Sequence, residues 1–281
     1  MPSFRRASRT ERDEFPIRRR VSQGVATLAL IGAAIGSVPA SAEQRLVSIG
    51  DRRLSIDCEG TRRDPATVVL MAGGGRTARD WEKVQSTLAR EARVCSYDRA
   101  GLGASDRTES SQSIAEVIDD LHALLMASAE AGPYVLVAHS MAGIYARGFQ
   151  TRFPAETAAL VFVDSSHEEQ GLRLRQLLPN APVLSEFNAR QGFLEQPGER
   201  LGWQTDVPVI VLRHGIIPPR PPQFPESQYA EYERIWIELQ ADLAKRSPRG
   251  ELRVAAKSGH AIQIDQPELV IQAVRDVTRA R

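Results

Sequence analysis

Tyr134-Val-Leu-Val-Ala-His-Ser140-Met-Ala-Gly143 decides how this chain is read. The apolar stretch from Tyr134 to Ala138 is strand-like, and it passes through Ser140 straight into a helix-compatible segment. Ala138 and Ala142 flank the serine as small residues, and Gly143 follows. A serine on such a sharp strand-to-helix turn projects its hydroxyl away from the backbone. The flanking residues must be small because neighbouring chain crowds the turn. The decapeptide therefore reads as a nucleophile elbow. The competing reading is an ordinary serine between a buried strand and a helix, and the rest of the chain has to decide between them.

Strand-like runs occur at Leu46–Ile49, Leu54–Cys58, Thr67–Met71, Val94–Tyr97, Tyr134–Ala138, Leu160–Asp164, Val209–Leu212 and Leu252–Ala255. From the third onward most are separated by helical patterns, which predicts βαβ units and a mainly parallel sheet. The clearest helix lies between the fourth and fifth strands. Ser113 and Glu116 form a capping box, and Ile114, Val117, Ile118, Leu121, Leu124 and Leu125 line one face. His122 sits beside that stripe and reads as structural. A second helix is predicted at about 227–245, after a proline-rich piece, with Tyr232, Ile235, Trp236, Leu239 and Leu243 read as a core stripe, against an alternative in which Tyr229 or Trp236 near its start reaches the pocket. Residues 165–207 are too long for a simple crossover and predict extra helices over the site; their Leu174, Phe187 and Trp203 are read mainly as anchors.

Four landmarks, taken in order, resemble the α/β-hydrolase superfamily. They are Thr67–Trp81 with its Ala72-Gly73-Gly74-Gly75 loop, Arg93–Asp106 with its Asp98-Arg99-x-Gly101 turn, the Ser140 elbow, and Ser258-Gly259-His260 followed by a Pro267-started helix. The resemblance covers nearly all of the chain after the first forty-odd residues. It implies an α/β-hydrolase fold, with a mainly parallel eight-stranded sheet flanked by helices and a helical lid between strands six and seven. In that fold the second and fourth strands are neighbours. Cys58 and Cys95 lie in those segments, so a disulfide between them stands against a reading as two small buried thiols.

A serine hydroxyl needs a base within hydrogen-bond reach and a third group that orients the base. His260 lies where the resembled family carries its catalytic histidine, whereas His139 is barred by backbone geometry and His167 and His214 lie elsewhere. The family most often places its acid after the seventh strand, yet no acidic residue follows there until Glu226. Asp164, at the end of the sixth strand, takes the superfamily's alternative position; Glu168 and Glu226 remain as alternatives. The amides of Met141 and Gly74 are the expected oxyanion donors. Asp98 and Arg99 are read as architectural.

The implied activity is hydrolysis of an ester-like bond through an acyl-enzyme, with no cofactor and no metal. Lactone, amide and C–C hydrolysis and perhydrolysis are compatible with the same residues. Two readings of another class are a hydroxynitrile lyase and a non-catalytic binding member. Lys and Arg number 36 against 35 Asp and Glu, and they are interspersed, so a nucleic-acid surface is not expected and a small-molecule partner is. Residues 1–42 read as an export signal: Arg18-Arg19-Arg20, an apolar stretch from Val25 to Gly36, and Ala40-Ser41-Ala42 as cleavage site. That stretch is short for a membrane span, so a periplasmic or extracellular domain over 43–281 is expected, with Sec and Tat routes both open.

Overall fold

Tyr134–His139 is a strand, β5 in chain order, inside a single eight-stranded sheet. The computed structural model describes residues 44–63, 65–108, 112–177, 203–220 and 225–280. The remaining strands are β1 (Arg45–Ser48), β2 (Arg53–Glu59), β3 (Thr67–Met71), β4 (Val94–Tyr97), β6 (Thr157–Val163), β7 (Val209–His214) and β8 (Gly250–Ala255). Their order is β1-β2-β4-β3-β5-β6-β7-β8. The β1–β2 and β2–β4 pairs are antiparallel, and every other pairing is parallel. Each expected apolar run is a strand, though some ends move: β6 begins at Thr157 rather than Leu160.

Side chains alternate across a strand, and a parallel sheet is covered on both faces. Both rules hold along β5. Tyr134, Leu136 and Ala138 enter one core, and Val135 and Val137 enter the other. The first core is closed by α2 (Ile114–Ala127), α3 (Ala142–Arg152) and the end of α5 (Glu226–Lys245). The second is closed by α1 (Glu82–Leu88), the single turn α6 (Ile262–Asp265) and α7 (Pro267–Arg279). Helix α2 buries the six apolar residues of its stripe. Its capping box is formed: Ser113 Oγ accepts from the Glu116 amide at 3.2 Å, and Glu116 Oε2 accepts from the Ser113 amide at 2.7 Å. His122 stacks on Phe153 at 4.0 Å and lies 3.2 Å from Glu156, a packing role.

The antiparallel register of β2 and β4 sets Cys58 directly opposite Cys95, and the two are joined by a disulfide of 2.07 Å. Of the lid expected over 165–207, the structure describes α4 (Gln170–Leu177), which lies against α5 with Arg173 Nη2 2.7 Å from Glu238 Oε2. Trp203 is buried edge-on against Phe162 and donates to Gln150 Oε1 at 2.7 Å, an anchor facing the core. Residues 178–202 of that insertion, Phe187 included, and the segment read as an export signal lie outside the described residues. Among the described residues no helix is long and apolar enough to cross a membrane.

The parallel strands end on one edge of the sheet. Ala72 follows β3, Ser140 follows β5, Asp164 follows β6, Gly215 follows β7, and the loop to His260 follows β8. In open α/β sheets, the crevice beyond the carboxyl ends is where ligands bind.

Candidate active site

Ser140 stands between β5 and α3 with a φ of +53°, a left-handed backbone rare for a side-chain-bearing residue. Three backbone bonds hold it there. Its N–H donates to Val163 O at 3.1 Å, and its carbonyl accepts from Ser166 at 2.9 Å and from Gly143 at 3.1 Å. The small residues around it have specific neighbours. Ala138 and Ala142 are fully buried, and a Cβ on Gly143 would lie 2.6 Å from Ser165 Cβ. Ser140 Oγ makes no hydrogen bond among the described residues, and such catalytic bonds often close only around substrate.

The Ala72–Gly75 loop presses on the elbow: a Cβ on Gly73 would lie 3.1 Å from Ser140 Cβ and 2.8 Å from His139 Nδ1. Arg99, almost fully buried, donates to both carbonyls of the loop's first two residues, Ala72 O and, at 2.6 Å, Gly73 O. A trans peptide points its C=O and the following N–H in opposite directions. Binding the Gly73 carbonyl therefore turns the Gly74 N–H away from Arg99, and Gly74 lies against Met141, with Cε 3.5 Å from its added Cβ. Met141 precedes the first residue of α3, so its N–H is outside the helical ladder. The expected architectural role of Asp98 is what the structure displays. Its carboxylate accepts from the amides of Ala78 at 2.8 Å and Ala104 at 3.0 Å.

Asp164 also has a left-handed backbone, with φ +45°, and is fully buried. Its Oδ2 lies 2.6 Å from His260 Nδ1. Three more donors converge on the same carboxylate: His214 Nδ1 at 3.0 Å, the His214 amide at 3.1 Å and Trp236 Nε1 at 2.9 Å. Burial pushes the carboxyl up, but the hydrogen bonds from His214 and His260 outweigh it and hold the group well below the usual carboxylate range. Donation from Nδ1 fixes the His260 tautomer with its lone pair on Nε2. The His260 loop is tied to the elbow through His139, whose Nε2 donates to His260 O at 3.0 Å while its Nδ1 accepts from Gln263 at 3.2 Å. Burial pushes His139 down to about 3, so it stays neutral.

The alternative acids lie elsewhere. Glu168 pairs with buried Arg147 at 3.2 Å and with Arg246 at 3.5 Å, and Glu226 is exposed at the start of α5. Trp236 does reach the site, as a donor to Asp164 rather than as a pocket wall. Sequence reasoning missed Glu233, Gln263 and the contact of His214 with Asp164. One signal for the last was present: His214 ends the strand after which the resembled family most often carries its acid.

Among the described residues the one metal-compatible cluster is Cys58, Cys95 and Glu130, and both sulfurs are committed to the disulfide. A cavity of about 540 Å³ lined by Asp57, Glu59, Gln85 and Asp98 lies at the β2–β4 side and contains none of Ser140, Asp164 or His260.

The profile of the Alpha/beta hydrolase family matches residues 68–273. Among curated proteins, an uncharacterized protein of Schizosaccharomyces pombe is 42% identical over 82 residues, which are 29% of this chain and 15% of that one. The chain spans 15%, 38% and 18% of the length of the first three such relatives. Fuller coverage comes from the uncharacterized protein YqjL of Bacillus subtilis, 24% identical over 75% of this chain and 83% of its own. Among solved structures, a thermophilic esterase from Thermogutta terrifontis has a TM-score of 0.59 at 20% identity, covering 85% of this chain and 99% of that one. At that identity the likeness is one of fold.

Proposed function

Because the chain belongs to the alpha/beta hydrolase family, we propose that it is an exported serine hydrolase that opens an ester-like carbonyl of a small, partly apolar substrate. The observation that carries this reading is the approach of fully buried Asp164 to His260 Nδ1, at 2.6 Å, on the strand edge that also presents Ser140. His260 Nε2 takes the Ser140 proton as Oγ attacks the carbonyl carbon, and the amides of Met141 and Gly74 receive the oxyanion. Each such donor is typically worth about 3 kcal/mol in the transition state. Collapse of the tetrahedral species expels the alcohol, protonated by His260. Water then attacks the acyl-enzyme with His260 as base, releasing the acid and restoring Ser140. Asp164 stays ionised throughout, orienting the imidazole and stabilising its cation.

The esterase above and a putative lipase from Acinetobacter baumannii, both fold neighbours, support an ester-like substrate. The disulfide between Cys58 and Cys95 supports export, since such bonds persist in oxidising compartments. The test is intact-mass and peptide mass spectrometry of the mature protein quenched during turnover of an activated short-chain ester. An acyl group on Ser140, with turnover abolished in Ser140→Ala, is expected. Turnover retained in Ser140→Ala overturns the reading, and cleavage of a cyanohydrin with no turnover of any ester points instead to lyase chemistry.

A further inference from the structure

The carboxylate of Asp164 has a second imidazole on it. His214 Nδ1 is 3.0 Å from both Asp164 oxygens, and its other ring nitrogen, Nε2, is 3.0 Å from Glu233 Oε2 on α5. All three side chains are buried. An ionised carboxylate only accepts hydrogen bonds, so an imidazole lodged between two of them donates from both nitrogens and carries a positive charge. His260 needs a free lone pair to act as base, so it cannot be the cation that offsets these two anions at rest. We propose that His214, held as an imidazolium between Asp164 and Glu233, is a positioning residue that keeps Asp164 ionised and aimed at His260, an inference resting on the Ser140–Asp164–His260 reading above.

The geometry explains why both features are needed. A fully buried carboxylate facing only a neutral imidazole would favour its protonated form, and a protonated Asp164 could not stabilise the imidazolium that forms on His260. His214 supplies the compensating charge, its backbone N–H and Trp236 Nε1 pin Oδ1, and Oδ2 is left directed at His260 Nδ1. Glu233 anchors the far side, so the cation does not neutralise the acid alone.

The other titratable groups near His214 are few. Arg213, its neighbour on β7, spends Nη1 on the His214 carbonyl at 2.8 Å. From α5 come the Tyr229 hydroxyl, which interacts with Glu233, and Tyr232; burial raises both phenols, the first to about 12, so neither titrates near neutrality. Burial lowers His214, but the hydrogen bonds and charges of Asp164 and Glu233 more than reverse this and lift it to about 9. The charge is therefore expected across the neutral range.

Histidine-labelled full-length mature protein, followed by ¹H–¹⁵N multiple-bond spectra, reads the His214 ring directly and needs no turnover. Both ring nitrogens are expected to be protonated at pH 7, with deprotonation only on the alkaline side, and Glu233→Gln should bring that deprotonation to lower pH. In ester kinetics, His214→Gln should cut kcat by up to about a hundred-fold, the scale of misplacing a reacting group by about 1 Å. KM should be unchanged. The acid limb of the kcat/KM profile should also move to higher pH, because the charge near Asp164 becomes more negative. A purely structural role would leave that limb in place. A neutral, singly protonated His214 at pH 7, or a His214→Gln enzyme with wild-type kcat and an unmoved acid limb, overturns the proposal. Failure of the Ser140 reading looks different: Ser140→Ala would stay active while His214 remained doubly protonated.

Discussion

Arg99 shows how one side chain can set the shape of a candidate oxyanion loop. Its guanidinium reaches two successive carbonyls, those of Ala72 and Gly73, and stacks 5.5 Å over the Tyr145 ring. Lysine is a point charge on a flexible stem and cannot make that forked pair. In Arg99→Lys the Gly73–Gly74 peptide is released, and the Gly74 N–H is no longer held toward the oxyanion. The expected outcome is a kcat lower by up to about a hundred-fold, the scale of losing one oxyanion donor, with a smaller change in KM in steady-state kinetics. An unchanged kcat would remove Gly74 from the proposed hole. Ser140, Gly74 and His260 can be singled out as candidates because each sits in a local motif, and Asp164 because the usual acid position is empty. The clamp of Arg99 on Gly73 joins residues 26 apart, and His214 meets Asp164 and Glu233 across 50 and 19 residues. Such pairings are made by strand order, and no local spacing announces them.

At the scale of elements, the elbow works because α3 can start close to the turn that follows β6. Gly143, in the first turn of α3, faces Ser165, which donates from Oγ to Ala138 O at 2.7 Å and is held by Gln240 of α5 through both its N–H, at 3.2 Å, and its carbonyl, at 2.7 Å. Three elements therefore meet at a point with no room for a methyl group. Gly143→Ala forces the turn carrying Ser165, and with it Asp164, away from Ser140. Overpacking of this kind costs about 1–3 kcal/mol, which for a domain of this size lowers Tm by roughly 2–12 °C. A thermal melt checks the first effect, and a kcat reduced well below wild type at 25 °C checks the displacement. The strands were legible because buried parallel strands are continuous apolar runs, and α2 because its cap and stripe agree. Ends such as that of β6 were not, since Thr157 joins the strand through pairing with Tyr134 rather than through its own hydrophobicity.

Over the whole molecule, the one covalent cross-link sits away from the chemistry. Cys58 and Cys95 bridge β2 to β4 near the amino end of β4, whereas the candidate site lies beyond the carboxyl ends of the parallel strands. The bridge closes a loop across a sequence separation of 37, and the loss of loop-closure entropy in the unfolded chain favours the folded state by about 4 kcal/mol. Against a net stability of roughly 5–15 kcal/mol for a typical domain, that is a large share. A chain held in a reducing compartment would fold without it. The bridge is therefore consistent with the proposed export, since a reducing compartment would deprive the domain of that share of its stability. The Cys58→Ala/Cys95→Ala variant, made as the mature form beginning near Glu43, should melt about 8–15 °C below the oxidised protein. Thiol reduction of the wild type should give the same shift, and ester turnover at 25 °C should be unchanged in both. A melt that does not respond to reduction would mean the unfolded chain is already restricted across this loop. A loss of kcat without unfolding would place β4 and its Asp98–Arg99 turn, and through Arg99 the oxyanion loop, under the control of the disulfide.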